Sequence, residues 1–183
     1  MISRLISFLL LILLSPLFLI VAIIIMIDDG FPIFFRQKRI GINNTEFWIY
    51  KFRTMKKAIP EIPTHLVKDP QQFYIRSGPF IRKLSIDELP QLINIIKGNM
   101  VFVGPRPALH NQNDLTELRT RVGIHELMPG ITGWAQVNGR DELSIPQKVQ
   151  FDEYYLKNRS WLLDLKIAFL TVLRVLGMKG VSH

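Results

Sequence analysis

Asp87 and Glu88 stand side by side between two arginines, in Arg82-Lys83-Leu84-Ser85-Ile86-Asp87-Glu88-Leu89-Pro90-Gln91 and the later Gly104-Pro105-Arg106-Pro107. Adjacent carboxylates flanked by guanidinium groups suit phosphate chemistry. The arginines hold phosphoryl oxygens, and a carboxylate becomes a competent nucleophile toward phosphorus once that charge is neutralised. Leu89, Leu92, Ile95 and Ile96 recur at helical spacing, and Ser85 with Glu88 fits a capping box, so Asp87 and Glu88 are predicted in the first turn of a helix. There the free amides and the helix dipole favour an ionised carboxylate and a phosphoryl group beside it. The same pair also fits a plain helix cap, and its neighbours decide between the two readings. Arg82 precedes the cap, and Arg106 is flanked by prolines of fixed φ, so its planar fork leaves a backbone with little freedom. Arg119 serves as the control for Arg106.

The elements that position these residues must fit within 183 residues carrying a formal charge of +8, with a pI near 9.9. That length suits one domain, and that charge favours an anionic partner, either nucleic acid or membrane phosphate. Cysteine is absent, which excludes disulfides and thiolate chemistry and fits a reducing cytoplasm. The four histidines lack the spacing of a metal site, so a hard cation held by carboxylate and phosphate oxygens is the more natural cofactor.

Leu5 to Ile27 is apolar apart from Ser7, Ser15 and Pro16, long enough at about 1.5 Å per residue to cross a bilayer core. A secretory signal is disfavoured, because the run is too long, lacks a small-residue cleavage site and leads into Asp28 and Asp29. Pro16 must kink the segment. The result is either a bent span or a loop that enters one leaflet and returns. Basic residues at both ends, Arg4 before and Arg36, Lys38 and Arg39 after, do not choose between them.

Two short strand-like segments follow, Phe34 to Gly41 and Glu46 to Met55, joined through Asn43-Asn44. Their interleaved aromatic and basic residues fit a lipid interface better than a nucleic-acid surface. Residues 58–72, with three prolines and no periodicity, read as a surface loop. Pro129 to Gly133 and Asn138-Gly139-Arg140 are glycine-rich, which lets backbone approach a ligand and aims Arg140 from a constrained turn, or makes a structural turn only. Trp161 to Met178 carries an apolar face with basic flanks, suited equally to a membrane surface or to the protein core.

Ser85 to Gln91, Lys97-Gly98-Asn99-Met100, Gly104 to Pro107 and Pro129-Gly130-Ile131-Thr132-Gly133-Trp134-Ala135-Gln136-Val137-Asn138-Gly139-Arg140 together closely resemble the bacterial sugar transferase family. Its members are monotopic phosphoglycosyl transferases that load a sugar phosphate onto a polyprenol phosphate, and the resemblance runs over essentially the whole chain. It implies an α+β fold, mostly helical. Residues 1–30 would be a re-entrant membrane-anchoring helix broken at Ser15-Pro16, and 31–183 a catalytic domain on the cytoplasmic face of the bacterial inner membrane. It implies Asp87 as nucleophile and as ligand to Mg²⁺, with Glu88 as base or metal-orienting group. Lys51, Arg82, Arg106, Arg140 and Asp152 would lie at the substrates. These are a UDP-sugar and polyprenol (undecaprenyl) phosphate in a phospholipid membrane, with no nucleic acid and with downstream glycosyltransferases receiving the product. The chain looks like the minimal catalytic form.

Three departures from the family pattern touch no residue given a chemical role: Ile86 for a common leucine, Asn99 for a frequent acidic residue, and Val101 for a frequent serine. Two other functions fit the composition: a non-catalytic, membrane-anchored binder of nucleic acid or acidic lipid, and a membrane diphosphate hydrolase.

Overall fold

The computed structural model describes residues 2–56, 70–139 and 142–177. The fold is α+β, mostly helical with two small sheets. Two compact units are distinguished, one of residues up to 37 with 49–97, the other of 38–48 with those from 98 onward. The N-terminal helices belong to the first unit.

In that unit α1 (Ile2–Leu13) and α2 (Ser15–Asp29) meet at a 61° bend. The cause is local. Pro16 has no N–H to give the Ile12 carbonyl, and the Ser15 hydroxyl donates to that carbonyl instead, at 2.7 Å. At about 18 Å and 22 Å neither helix reaches across a bilayer core, and among the described residues no single helix is long and apolar enough to do so. Val21 and Ile25 of α2 pack with Phe52, Ile75 and Ile81, whereas Leu9, Leu13, Leu19 and Ile27 are exposed. α1 packs on α4 (Gln91–Lys97), and its Ser7 is fully buried.

The end of α2 is tied down on two sides. Asp28 accepts from the Ser77 amide at 2.7 Å and its hydroxyl at 2.8 Å. Arg53 pairs with the Asp29 carboxylate and donates to the carbonyls of Asp29, Gly30 and Pro32 at 3.0, 2.8 and 2.6 Å.

The two expected strands form as β1 (Phe34–Ile40) and β2 (Glu46–Phe52), with Asn43 and Asn44 at φ 51° and 57° in the turn. Their turn end, 38–48, is counted with the second unit. Phe34 and Trp48 stay exposed, as the interleaved pattern predicts. Of the loop expected at 58–72, only its end is described, within a 3-10 turn at Pro70–Phe73. The rest lies outside the described residues.

The second unit pairs β3 (Val101–Val103) in parallel with β4 (Gly130–Thr132), through a connection that contains α5 (Asn113–Arg121). α6 (Trp134–Val137), α7 (Ile145–Asn158) and α8 (Trp161–Gly177) follow. α8 packs on the core along one face and leaves apolar residues exposed on others. Ile167 and the flanking Leu163 and Leu170 pack with Val137 and Tyr155, while Trp161, Leu165, Phe169 and Leu176 on other faces are exposed.

The glycines of the 129–133 run approach backbone closely. A Cβ on Gly130 would lie 2.2 Å from the Gly104 nitrogen, and one on Gly133 would lie 2.1 Å from the Gly104 carbonyl oxygen. Main chain cannot rotate aside as a side chain can, so Gly133→Ala should cost about 3 kcal/mol, read by urea unfolding in detergent. Gly177→Ala, where nothing lies within 4 Å, should stay within about 0.5 kcal/mol of wild type.

Candidate active site

Asp87 and Glu88 lie in a 3-10 turn, Ile86–Glu88, ahead of α4 and not in its first turn. The capping box does not form. Ser85 adopts a left-handed conformation (φ 54°), its amide donates to the Arg82 carbonyl at 2.9 Å, and its own carbonyl accepts the Glu88 amide at 3.2 Å. With backbone serving the donors that a capping box would satisfy, the Glu88 side chain is drawn elsewhere.

Its partner is Lys51 on β2. The Lys51 ammonium lies 2.7 Å from Glu88 Oε1 and 3.9 Å from Asp87 Oδ2. The three side chains are only 15%, 10% and 10% exposed, so this cation offsets the repulsion between two adjacent carboxylates withdrawn from water. The neighbour Tyr50 fixes the register. Its amide donates to Asn94 Oδ1 at 3.1 Å and its hydroxyl accepts from Lys97 at 2.8 Å, clipping β2 to α4 next to Lys51. Asn94 is fully buried, and the bond from the Tyr50 amide satisfies its side-chain oxygen there. Arg82, on α3 (Gly78–Lys83), places its guanidinium carbon 5.3 Å from the centroid of the Tyr74 ring. The first unit thus gathers Lys51, Asp87 and Glu88, with Arg82 on the helix before the turn.

Arg106 belongs to the second unit and sits in an immobilised segment. Four consecutive carbonyls are engaged: Pro105 by the Gly130 amide at 3.0 Å, Arg106 by Arg119 Nη1 at 2.8 Å, Pro107 by Arg39 Nη1 at 3.1 Å and Ala108 by the Ile40 amide at 2.9 Å. The rigid presentation expected of the two prolines is therefore reinforced from outside. Arg106 and Arg119 border a cavity of about 30 Å³, water-sized and far smaller than a nucleotide.

Asp152 is buried in the second unit. It is 1% exposed on α7, and its Oδ2 accepts from Arg119 Nε at 3.0 Å and Nη2 at 2.5 Å. Burial pushes its carboxyl upward from the usual carboxylate range, against the pull of Arg119. The cost falls on the ionised form, so Asp152 depends on that arginine for its charge. Arg119, the control, is correspondingly no surface residue. It is 8% exposed and shares the inward face of α5 with Leu115. Its place four residues after Leu115 and three before Val122 was the available signal. Arg140 lies outside the described residues.

No group of three or more His, Asp or Glu side chains suited to a metal occurs among the described residues. Mg²⁺ is commonly held by one or two carboxylates with phosphate oxygens and water, and Asp87 beside a bound diphosphate would fit that donor set.

Residues 1–178 match the protein family described as Bacterial sugar transferase. The chain is 44% identical over 170 residues to the uncharacterized sugar transferase EpsL of Bacillus subtilis (strain 168), covering 92% of this chain and 82% of that protein. It is 40% identical over 172 residues to the UDP-glucose:undecaprenyl-phosphate glucose-1-phosphate transferase of Xanthomonas campestris pv. campestris, covering 90% of this chain but 36% of that one. Identity is 39% over 167 residues to the UDP-N-acetylgalactosamine-undecaprenyl-phosphate N-acetylgalactosaminephosphotransferase of Aeromonas hydrophila, covering 88% and 40%.

Removing the shared cation leaves two adjacent, largely buried carboxylates without its charge, so Lys51→Met should lose about 3 kcal/mol in thermal or urea unfolding. Lys51→Met with Glu88→Gln should recover most of that loss, since the carboxylate hydrogen-bonded to the ammonium is then neutral.

Proposed function

The chain belongs to the bacterial sugar transferase family, and on that premise we propose that it moves a sugar 1-phosphate from a UDP-sugar to undecaprenyl phosphate, releasing UMP. The donor and acceptor classes come from the names of the Xanthomonas and Aeromonas relatives, of which the chain spans 36% and 40%. Those names differ in the sugar, which is left open. The observation that carries the reading is the unequal sharing of Lys51. Its hydrogen bond goes to Glu88 and its longer contact to Asp87. The ammonium's short bond goes to one oxygen of Glu88, which suits Glu88 to the supporting role and leaves that of nucleophile to Asp87.

Asp87 attacks the phosphorus that bears the sugar, the bond from that phosphorus to the UMP oxygen breaks, and a phosphosugar remains on the carboxylate. A phosphate oxygen of undecaprenyl phosphate then attacks the same phosphorus. The bond to Asp87 breaks, giving undecaprenyl diphosphosugar and the free carboxylate. Glu88, oriented by Lys51, assists as base, while Arg82, Arg106 and Arg140 bind phosphate oxygens. Mg²⁺, held by Asp87 with the donor diphosphate, would supply positive charge against the diphosphate. The lipid product would pass to downstream glycosyltransferases.

The bent helix pair supports a re-entrant anchor on the cytoplasmic face. α1 packs on α4 and α2 packs on Phe52 and Ile81, so both arms lean on the same unit. A segment that crossed the membrane would carry one arm away from it.

The test is a panel of UDP-sugars with the detergent-solubilised protein, read by UMP release with and without undecaprenyl phosphate. Lipid-linked product is expected. Free sugar phosphate formed without the acceptor would favour a hydrolase. Asp87→Asn preserves shape and should lower turnover by several orders of magnitude, and retention of more than about a tenth of the activity would remove the covalent role.

For topology, a Ser3→Cys variant should be shielded from an impermeant thiol reagent in intact spheroplasts. It should become labelled when Ser15→Ala and Pro16→Leu straighten the segment, since the native chain has no cysteine to interfere. Labelling of Ser3→Cys alone would show a span.

A further inference from the structure

Arg119 directs all three guanidinium nitrogens to two partners. Nε and Nη2 donate to one oxygen of Asp152 at 3.0 and 2.5 Å, and Nη1 donates to the carbonyl of Arg106 at 2.8 Å. Both members of the ion pair are nearly inaccessible, Asp152 at 1% and Arg119 at 8%. Withdrawing two charges from water is expensive, and hydrophobic residues of similar volume often replace such a pair without loss of stability. What apolar residues cannot reproduce is a directed donor. The guanidinium is planar and rigid, so once one edge is fixed on Asp152 the direction of Nη1 is fixed as well. That donor meets the backbone at the residue whose side chain is proposed above to hold phosphate.

We propose that Arg119 and Asp152 are positioning residues for Arg106, a buried pair that sets the peptide plane at Arg106 and so the direction in which its side chain leaves the backbone. The inference rests on the reading of Arg106 as a phosphate ligand. Neither residue of the pair needs to touch a substrate. Lysine at 119 keeps the charge but offers one ammonium without the fork, so it cannot serve carboxylate and carbonyl in the same geometry.

The test is a double-mutant cycle on kcat/KM for UMP release, using undecaprenyl phosphate with UDP-glucose or UDP-N-acetylgalactosamine, whichever supports turnover. Arg119→Lys is expected to lower kcat/KM by about 10- to 100-fold with Arg106 present, and by less than about twofold in an Arg106→Ala background. Equal losses in both backgrounds would show that Arg119 acts through general stability and would overturn the proposal, as would wild-type kinetics for Arg119→Lys. Wild-type kinetics for Arg106→Ala would overturn the phosphate role and the positioning role together. Should Arg119→Lys fail to fold, Asp152→Asn, which is isosteric and keeps an oxygen acceptor, enters the same cycle with the same expectation.

Hydrogen exchange gives a readout independent of turnover. The peptide covering 104–108 should exchange faster in the folded Arg119→Lys or Asp152→Asn protein, with the first unit unchanged. Unaltered exchange there would overturn the proposal even if no UDP-sugar released UMP, whereas absent UMP release with faster local exchange would count only against the proposed reaction.

Discussion

The ammonium group of Lys51, shared unequally between Glu88 and Asp87, is the interaction around which the first unit is arranged. Two adjacent carboxylates largely out of water repel one another, and only a cation at short range makes the pair tolerable. The cation must come from a rigid element, because a flexible lysine would simply swing into solvent. β2 supplies it, and the neighbouring Tyr50 is held by Asn94 and Lys97 so that strand and carboxylate turn keep their register. The buried Asn94, the left-handed Ser85 and the clamp of Arg53 on the end of α2 can all be read as conditions for holding one lysine against one turn.

The second unit solves a different problem with the same means. Its proline-flanked segment offers few amides of its own, since Pro105 and Pro107 have none, and a chain without amides cannot enter a regular sheet on its own terms. The carbonyls are therefore bound from outside, by Gly130, Arg119, Arg39 and Ile40. The stiffness of proline limits φ alone, and the bonds from these four residues restrain what φ does not.

Wherever a local pattern had a single physical meaning, the sequence carried it. The apolar run with Pro16 gave a bent helix pair, Asn43-Asn44 gave the turn between two strands, and the period of Leu92 and Ile95 gave a buried helix face. Where one pattern admits two partners, tertiary structure chose. Ser85 and Glu88 have the spacing of a capping box, but Glu88 found Lys51, 37 residues away in sequence, and spacing cannot register a competitor at that distance. The glycines at 130 and 133 do mark a close approach, yet nothing local says whether ligand or backbone is approached. The burial of Asp152 and Arg119 escapes a local reading for the converse reason. Charged residues are expected at the surface, and only their partnership, 33 residues apart, permits burial.

The contact among Gly104, Gly130 and Gly133 also restricts how this chain can change. A clash between side chains is open to compensation, since shrinking one partner makes room for the other. Here the obstruction to a methyl group is main chain, the Gly104 nitrogen for position 130 and its carbonyl oxygen for position 133. Every amino acid carries those atoms. No substitution elsewhere can remove them, so these positions are closed to stepwise exploration by paired mutation, and variation must be confined to the residues around them.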